Sequence, residues 1–191
     1  MIIDLHIHIE GRSHCSHLSL QELYRGLSPK LDGICITDHE VIDKIRHLHF
    51  QEFSVFYGVE LWSDKGDILA YGLKNILPSK DLRAKEIIDF IHHHNGIAVA
   101  AHPFSSRHNA FHESVYDYSF DAIEINGAIG KNENKLARQA AESLGLPLTG
   151  GSDAHSINQL NTVATEFENG INSIEDIVKA IKNKKCKPVR I

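Results

Sequence analysis

The sequence predicts an α/β domain whose parallel strands close into a barrel, with the functional groups at the carboxyl ends of the strands. Two observations carry this. Short β-branched runs alternate with segments of helical period along the 191 residues, and alternation of that kind builds parallel βα units. Nearly every expected strand also ends in metal-ligand residue types: His6 and His8, Asp38 and His39, Glu60, His102, Glu124 and Asp153. Parallel barrels collect functional groups at strand C-termini. An open doubly wound sheet uses mainly its switch-point crevice, so six such ends favour closure. No Gly/Ser/Pro-rich linker, low-complexity tract or fixed-period repeat interrupts the chain, and residues 1–191 read as one domain.

Taken in order, MIIDLHI reads as a strand. SLQELYRGL reads as a helix, with Ser19 and Glu22 in capping-box spacing. DGICIT, FSVFYGVEL and DILAYGL read as strands. LRAKEIIDFIHHH has helical period and stops at Asn95-Gly96, a C-cap signal. GIAVAAH, FDAIEI and LPLTGG are further strands, NENKLARQAAESLG and SIEDIVKAIKNKK are helices, and KPVRI is a closing strand.

Composition narrows the function classes. The formal net charge of −5 argues against nonspecific binding to long nucleic acid or anionic membrane. Three scattered cysteines imply no disulfide framework and fit a reducing, cytoplasmic setting. The N-terminal run lacks a signal-peptide pattern, and no apolar run approaches membrane-spanning length. Oligomeric state has no readable signal. Histidine is the outlier at 14 copies, because it is both the commonest metal ligand and the near-neutral acid–base.

In DLHIH, strand alternation puts Asp4, His6 and His8 on one face. Imidazoles at i and i+2 can grip one ion, with Asp4 orienting a ligand from behind. Asp38-His39 and Glu60 end two further strands. Pro103 biases His102 toward an extended conformation and stops its strand. The double glycine of TGGSDAH gives a flexible turn before Asp153 and His155. His92, His93 and His94 suit a solvated helix end, His47 and His49 suit the surface, and His108 and His112 are candidates for the mouth. Cys15 and Cys35 read as small core or loop residues.

The set DLHxH, TDH, GVE, AHP and GSDAH, in this order from Asp4 to His155, resembles the polymerase-and-histidinol-phosphatase (PHP) superfamily of metal-dependent phosphoesterases. The resemblance implies a distorted, TIM-like parallel (β/α)7 barrel with two or three divalent ions at its C-terminal mouth. It implies one ion on His6, His8, Glu60 and Asp153, a second shared by Glu60 and held by His102, and a third on His14, His39 and His155. His17 has no counterpart and reads as a rim or helix-start residue. Many members supply a further His or Cys to the second ion after the strand ending in Glu124; here EINGAIGKNENK has neither, leaving Asn126 or Asn132 as poorer candidates.

Mixed nitrogen and oxygen donors suit Zn²⁺, Mn²⁺ or Fe²⁺. No side-chain nucleophile stands out, so the expected nucleophile is a hydroxide held between two ions, attacking a phosphate ester. The absence of a GxxxxGK loop argues against ATP hydrolysis. Arg12 and Arg107 are the candidate phosphate clamps, and the expected partner is a small phosphorylated substrate. The alternatives are a phosphodiesterase or nuclease acting on nucleotides or short oligonucleotides, and a metal-stabilised module without catalysis.

Overall fold

The structure is a computed structural model that describes residues 1–42, 47–50, 53–76, 82–168 and 170–191; of 47–50 only the backbone course is described. The surface placement expected for the His47 and His49 side chains therefore lies outside the described residues. In chain order the strands are β1 (Ile2–Ile7), β2 (Gly33–Ile36), β3 (His47–Phe50), β4 (Phe53–Tyr57), β5 (Val59–Leu61), β6 (Ile68–Tyr71), β7 (Ile97–Ala100), β8 (Ala122–Asn126), β9 (Leu148–Gly151), β10 (Val163–Phe167) and β11 (Cys186–Arg190). The helices are α1 (Leu20–Gly26), α2 (Ala84–His93), α3 (Lys131–Leu144) and α4 (Ile174–Lys182). All four fall where the sequence period predicts them. Ser19 caps α1 in a complete capping box with Glu22, and Gly145 closes α3 in the left-handed conformation.

The closed parallel (β/α)7 barrel is not what forms. The strands divide into two mixed sheets, one ordered β11-β10-β1-β2-β4-β3 and the other β5-β6-β7-β8-β9. Parallel pairing survives in β1-β2, β2-β4, β7-β8 and β8-β9. The pairs β1-β10, β10-β11, β3-β4, β5-β6 and β6-β7 are antiparallel. Loop length explains part of the difference. A parallel neighbour needs a crossover of about a dozen residues, yet Gly58 alone separates β4 from β5, and residues 62–67 alone separate β5 from β6. FSVFYGVEL, read as one strand, is therefore two strands in different sheets. A Cβ at Gly58 would stand 2.8 Å from the Tyr71 ring and 2.9 Å from the Ala70 carbonyl, so the break requires glycine.

The sheets face each other across a core that draws on both: Ile3 and Leu5 of β1, Phe56 of β4, Leu69 and Tyr71 of β6, Val99 of β7, closed by Ile174, Ile177 and Ile181 of α4. The buried Tyr71 hydroxyl donates to the Leu5 carbonyl at 2.8 Å and ties one sheet to the other. A second apolar cluster packs α2 and α3 on the five-stranded sheet, and a third packs α1 on β1, β2 and β4. Single parallel bridges, Ile7 to Ala154 and His39 to Glu60, join the two sheets at one rim. Among the described residues, no helix is long and apolar enough to cross a membrane.

Candidate metal centre

That rim is where the predicted ligands gather. His6 sits in β1 and His8 follows it, both fully buried. The Asp4 carboxylate accepts the His6 and Ser152 backbone N–H groups at 3.2 and 2.9 Å, which pins the end of β1 to the turn carrying Asp153. His39 follows β2, Glu60 sits in β5, and Asp153 and His155 follow β9. His102 follows β7 with φ of 28°, a sparsely populated conformation for a residue with a side chain.

Four atoms converge at the centre. His6 Nε2 and His8 Nε2 are 2.9 Å apart. Glu60 Oε2 lies 3.3 and 3.1 Å from them, and Asp153 Oδ1 lies 3.5 and 3.4 Å from them. The far sides of both rings fix their protons. His6 Nδ1 faces Glu124 Oε1 at 2.8 Å, so that nitrogen carries the hydrogen. Ser13 Oγ donates to Asp38 Oδ1 at 2.8 Å and so accepts from His8 Nδ1 at 3.0 Å. In the neutral rings both inward Nε2 atoms then present lone pairs to each other and to two carboxylate oxygens. With the rings neutral, such a buried group of acceptors is repulsive until a proton or a metal ion enters. The spacing suits one first-row divalent ion, because donors about 2.1 Å from an ion lie about 3.4 Å from one another in a tetrahedron. The donor set therefore fits a metal.

The electrostatics agree. Burial disfavours a charged His6 ring, but Glu124, Asp153 and Glu60 outweigh it and hold its pKa well above the ordinary value. His8 is raised, and His102 is pushed up to about 9, against burial, mainly by Glu60. Burial would neutralise Glu60 and Asp153, yet the surrounding imidazoles, His6 foremost, keep both carboxyls well below their ordinary range. The centre attracts positive charge.

Two further groups adjoin it. Ligand atoms of Glu60, Asp67 and His102 lie within 4.8 Å of one another, as do those of His8, His39 and His155. His102 Nε2 is 3.1 Å from Glu60 Oε1, and His102 Nδ1 is buried without a hydrogen-bond partner. His39 Nδ1 is 3.2 Å from Glu60 Oε2 but not aligned for a hydrogen bond, and burial lowers the His39 pKa to about 4. Burial and His8 also lower His155. A cleft of about 390 Å³ opens onto these residues, lined also by Cys15, Trp62, His108, Asn109 and Gln159.

Of the predicted ligands, His6, His8, His39, Glu60, His102, Asp153 and His155 come together. His14 does not: it is exposed and outside these groups, and its neighbour Cys15 places Sγ 3.1 Å from His155 Nε2. Arg12 pairs with the buried Asp38, Arg107 donates to the Ala128 carbonyl, and neither lines the cleft. Glu124 supports rather than faces the centre: Oε1 holds His6, and Oε2 accepts from the His102 backbone N–H at 2.8 Å and from Asn126 at 3.0 Å. Asn126 turns its amide nitrogen inward, reaching Asp153 Oδ2 at 3.2 Å, so it orients carboxylates. Sequence reasoning missed Asp67, whose carboxyl is raised to about 7 by burial and by Glu60. The only available signal was an aspartate at the start of an apolar strand.

Fold and site define an α/β protein with a buried His/carboxylate cluster suited to divalent cations. Comparison with known proteins finds a family model, a relative and solved structures to which the chain is similar. Residues 131–186, from α3 to the start of β11, match the model of the PHP-associated family. An uncharacterized protein of Methanocaldococcus jannaschii is 30% identical over 103 residues, covering 51% of this chain and 59% of that protein. Among solved structures, PsfC from Pseudomonas syringae superposes with a TM-score of 0.77 at 20% identity, over 100% of this chain and 91% of PsfC. A two-domain protein from Bacteroides vulgatus, containing a predicted PHP-like metal-dependent phosphoesterase, gives 0.70 at 18% identity, over 100% of this chain and 64% of that one. The lesion-specific endonuclease Q of Pyrococcus furiosus gives 0.65 at 18% identity, over 98% and 58%. The chain thus spans less than two thirds of the curated relative and of two of these three structures. The matches bear out the resemblance to the PHP superfamily.

Proposed function

We propose that the chain is a metal-dependent phosphoric ester hydrolase. The observation that carries the proposal is the cluster of His6, His8, Glu60 and Asp153, buried at the rim with Glu60 and Asp153 on the wall of the cleft. In this reading these four residues hold one ion, Glu60 and His102 share a second, and His39 and His155 serve a third; Zn²⁺, Mn²⁺ and Fe²⁺ suit the donors. Bound ions would supply a nucleophile at neutral pH and neutralise phosphoryl oxygens. The chain's own part is orientation. Glu124 and Ser13 fix the tautomers of His6 and His8, Asn126 aligns Glu124 with Asp153, and the walls of Trp62 and Gln159 leave room for a small phosphorylated substrate. Arg12 and Arg107, on loops beside the ligands, are proposed to meet the substrate's phosphate by side-chain movement.

The experiment strips metal from the protein and offers a panel of phosphomonoesters and diesters with and without added Mn²⁺ or Zn²⁺. Metal-dependent release of phosphate or alcohol is expected. No turnover of any ester with any ion, by protein that has taken up metal, would defeat the proposal in favour of a metal-stabilised module. A phosphodiesterase or nuclease is the second reading, favoured by the likeness to endonuclease Q, which has been solved with an abasic 27-mer duplex. It predicts turnover of diesters without release of inorganic phosphate from monoesters.

A further inference from the structure

The segment after β8 offers the second ion no His or Cys, and Asn126 is committed to Glu124, Asp153 and the Ala128 N–H. We propose that His108 and Asp67 complete this second site with Glu60 and His102. The inference rests on the metal reading above and deepens it.

Position argues first. His102, His108 and Asp153 offer ligand atoms within 4.8 Å of one another, and so do Glu60, Asp67 and His102, so His102 stands in both groups. The His102 and His108 rings lie 4.7 Å apart at 30°, a separation comparable to that of His8 and His39, at 4.6 Å. His102 faces both carboxylates with the same nitrogen, Nε2, which lies 3.1 Å from Glu60 Oε1.

The loop that brings His108 there is held in place. Ser105 is buried, and its hydroxyl accepts the backbone N–H groups of Arg107 and His108, both at 3.1 Å. Its own N–H donates to the His102 carbonyl at 2.9 Å, so His102 and His108 are fastened through one residue. The next residue fastens Asp67: Asn109 donates from its side chain to Asp67 Oδ1 at 3.1 Å and accepts the Asp67 N–H at 3.2 Å. Asp67 Oδ2 then faces His102 Nε2 at 3.8 Å, a gap that a shared cation would bridge. His108 is exposed on the cleft wall, so its replacement leaves the core intact.

The test dialyses metal-stripped wild type, His108→Ala, Asp67→Asn and His112→Ala against Zn²⁺ near neutral pH and counts bound ions by elemental analysis. Far-ultraviolet circular dichroism of each protein checks folding. His108→Ala and Asp67→Asn should each bind one ion fewer than wild type, or hold the last ion at least ~10-fold more weakly. His112→Ala, on the same loop but outside the cleft, should match wild type. A folded His108→Ala with the wild-type ion count and affinities would overturn the inference alone, leaving His108 a stacking neighbour. A wild type that takes up no ion would overturn the metal reading as well.

Discussion

Glu124 supports the centre from behind at three points. One oxygen fixes the His6 tautomer, and the other holds the His102 backbone in its positive-φ turn and accepts from Asn126. It is 1% exposed and touches the ligands from behind, so its charge acts through them. Glu124→Gln keeps the shape and removes the charge. The weaker acceptor lowers the basicity of His6, and metal affinity should fall by ~10–100-fold while the fold persists. Isothermal titration with Zn²⁺ and a thermal melt of the metal-free variant check the two halves; unchanged affinity would reduce Glu124 to a packing role.

At the scale of elements, the centre depends on how closely β9 approaches β1. Gly151 makes this possible: a Cβ there would stand 2.4 Å from His6 Cβ and 2.9 Å from Glu124 Oε1. Gly151→Ala should therefore push β9 from β1, cost ~1–3 kcal/mol in chemical denaturation, and weaken metal uptake. Stability and uptake like those of wild type would show that the strands can part without loss. The same scale explains what could be read in advance. His6, Glu60, His102 and Asp153 were legible because each closes or follows an apolar run with a fixed period. Helix positions were legible from capping and the 3.6-residue period. Strand direction was not, since a period of two is the same in parallel and antiparallel neighbours. β6 runs antiparallel, so its amino end reaches the rim where other strands bring their carboxyl ends. Asp67 thus enters the site from a position that looks like an ordinary strand start. β10, an antiparallel partner of β1 and β11, went unread for want of an α-helix between it and β9 to announce it. His108 was legible only as a mouth residue, because its placement depends on the Ser105 hydroxyl and on Asn109.

For the whole molecule, the centre is a clasp between sheets. His6, His8 and His39 come from the six-stranded sheet and its loops, and Glu60, His102 and Asp153 from the five-stranded sheet and its loops. Without a metal ion the raised His6 pKa places an imidazolium beside Glu60 and Asp153; a divalent ion takes the place of that proton and adds attraction across the sheet boundary. An ion that binds the folded chain and not the unfolded one stabilises it by about 2.7 kcal/mol at a free concentration 100 times its Kd. For a chain of this length each kcal/mol moves the melting temperature by roughly 2–4 °C, so metal loading should raise it by roughly 5–11 °C, and a chelator should reverse the rise. The combined variant His6→Ala, His8→Ala should lose this metal-dependent increment. Because it also strips the buried Glu60 and Asp153 of their imidazole partners, its metal-free melting temperature should fall as well. A melting temperature indifferent to metal in the wild type, measured on protein shown by elemental analysis to be loaded, would mean that the folded and unfolded chains bind the ions equally well, and would overturn the clasp.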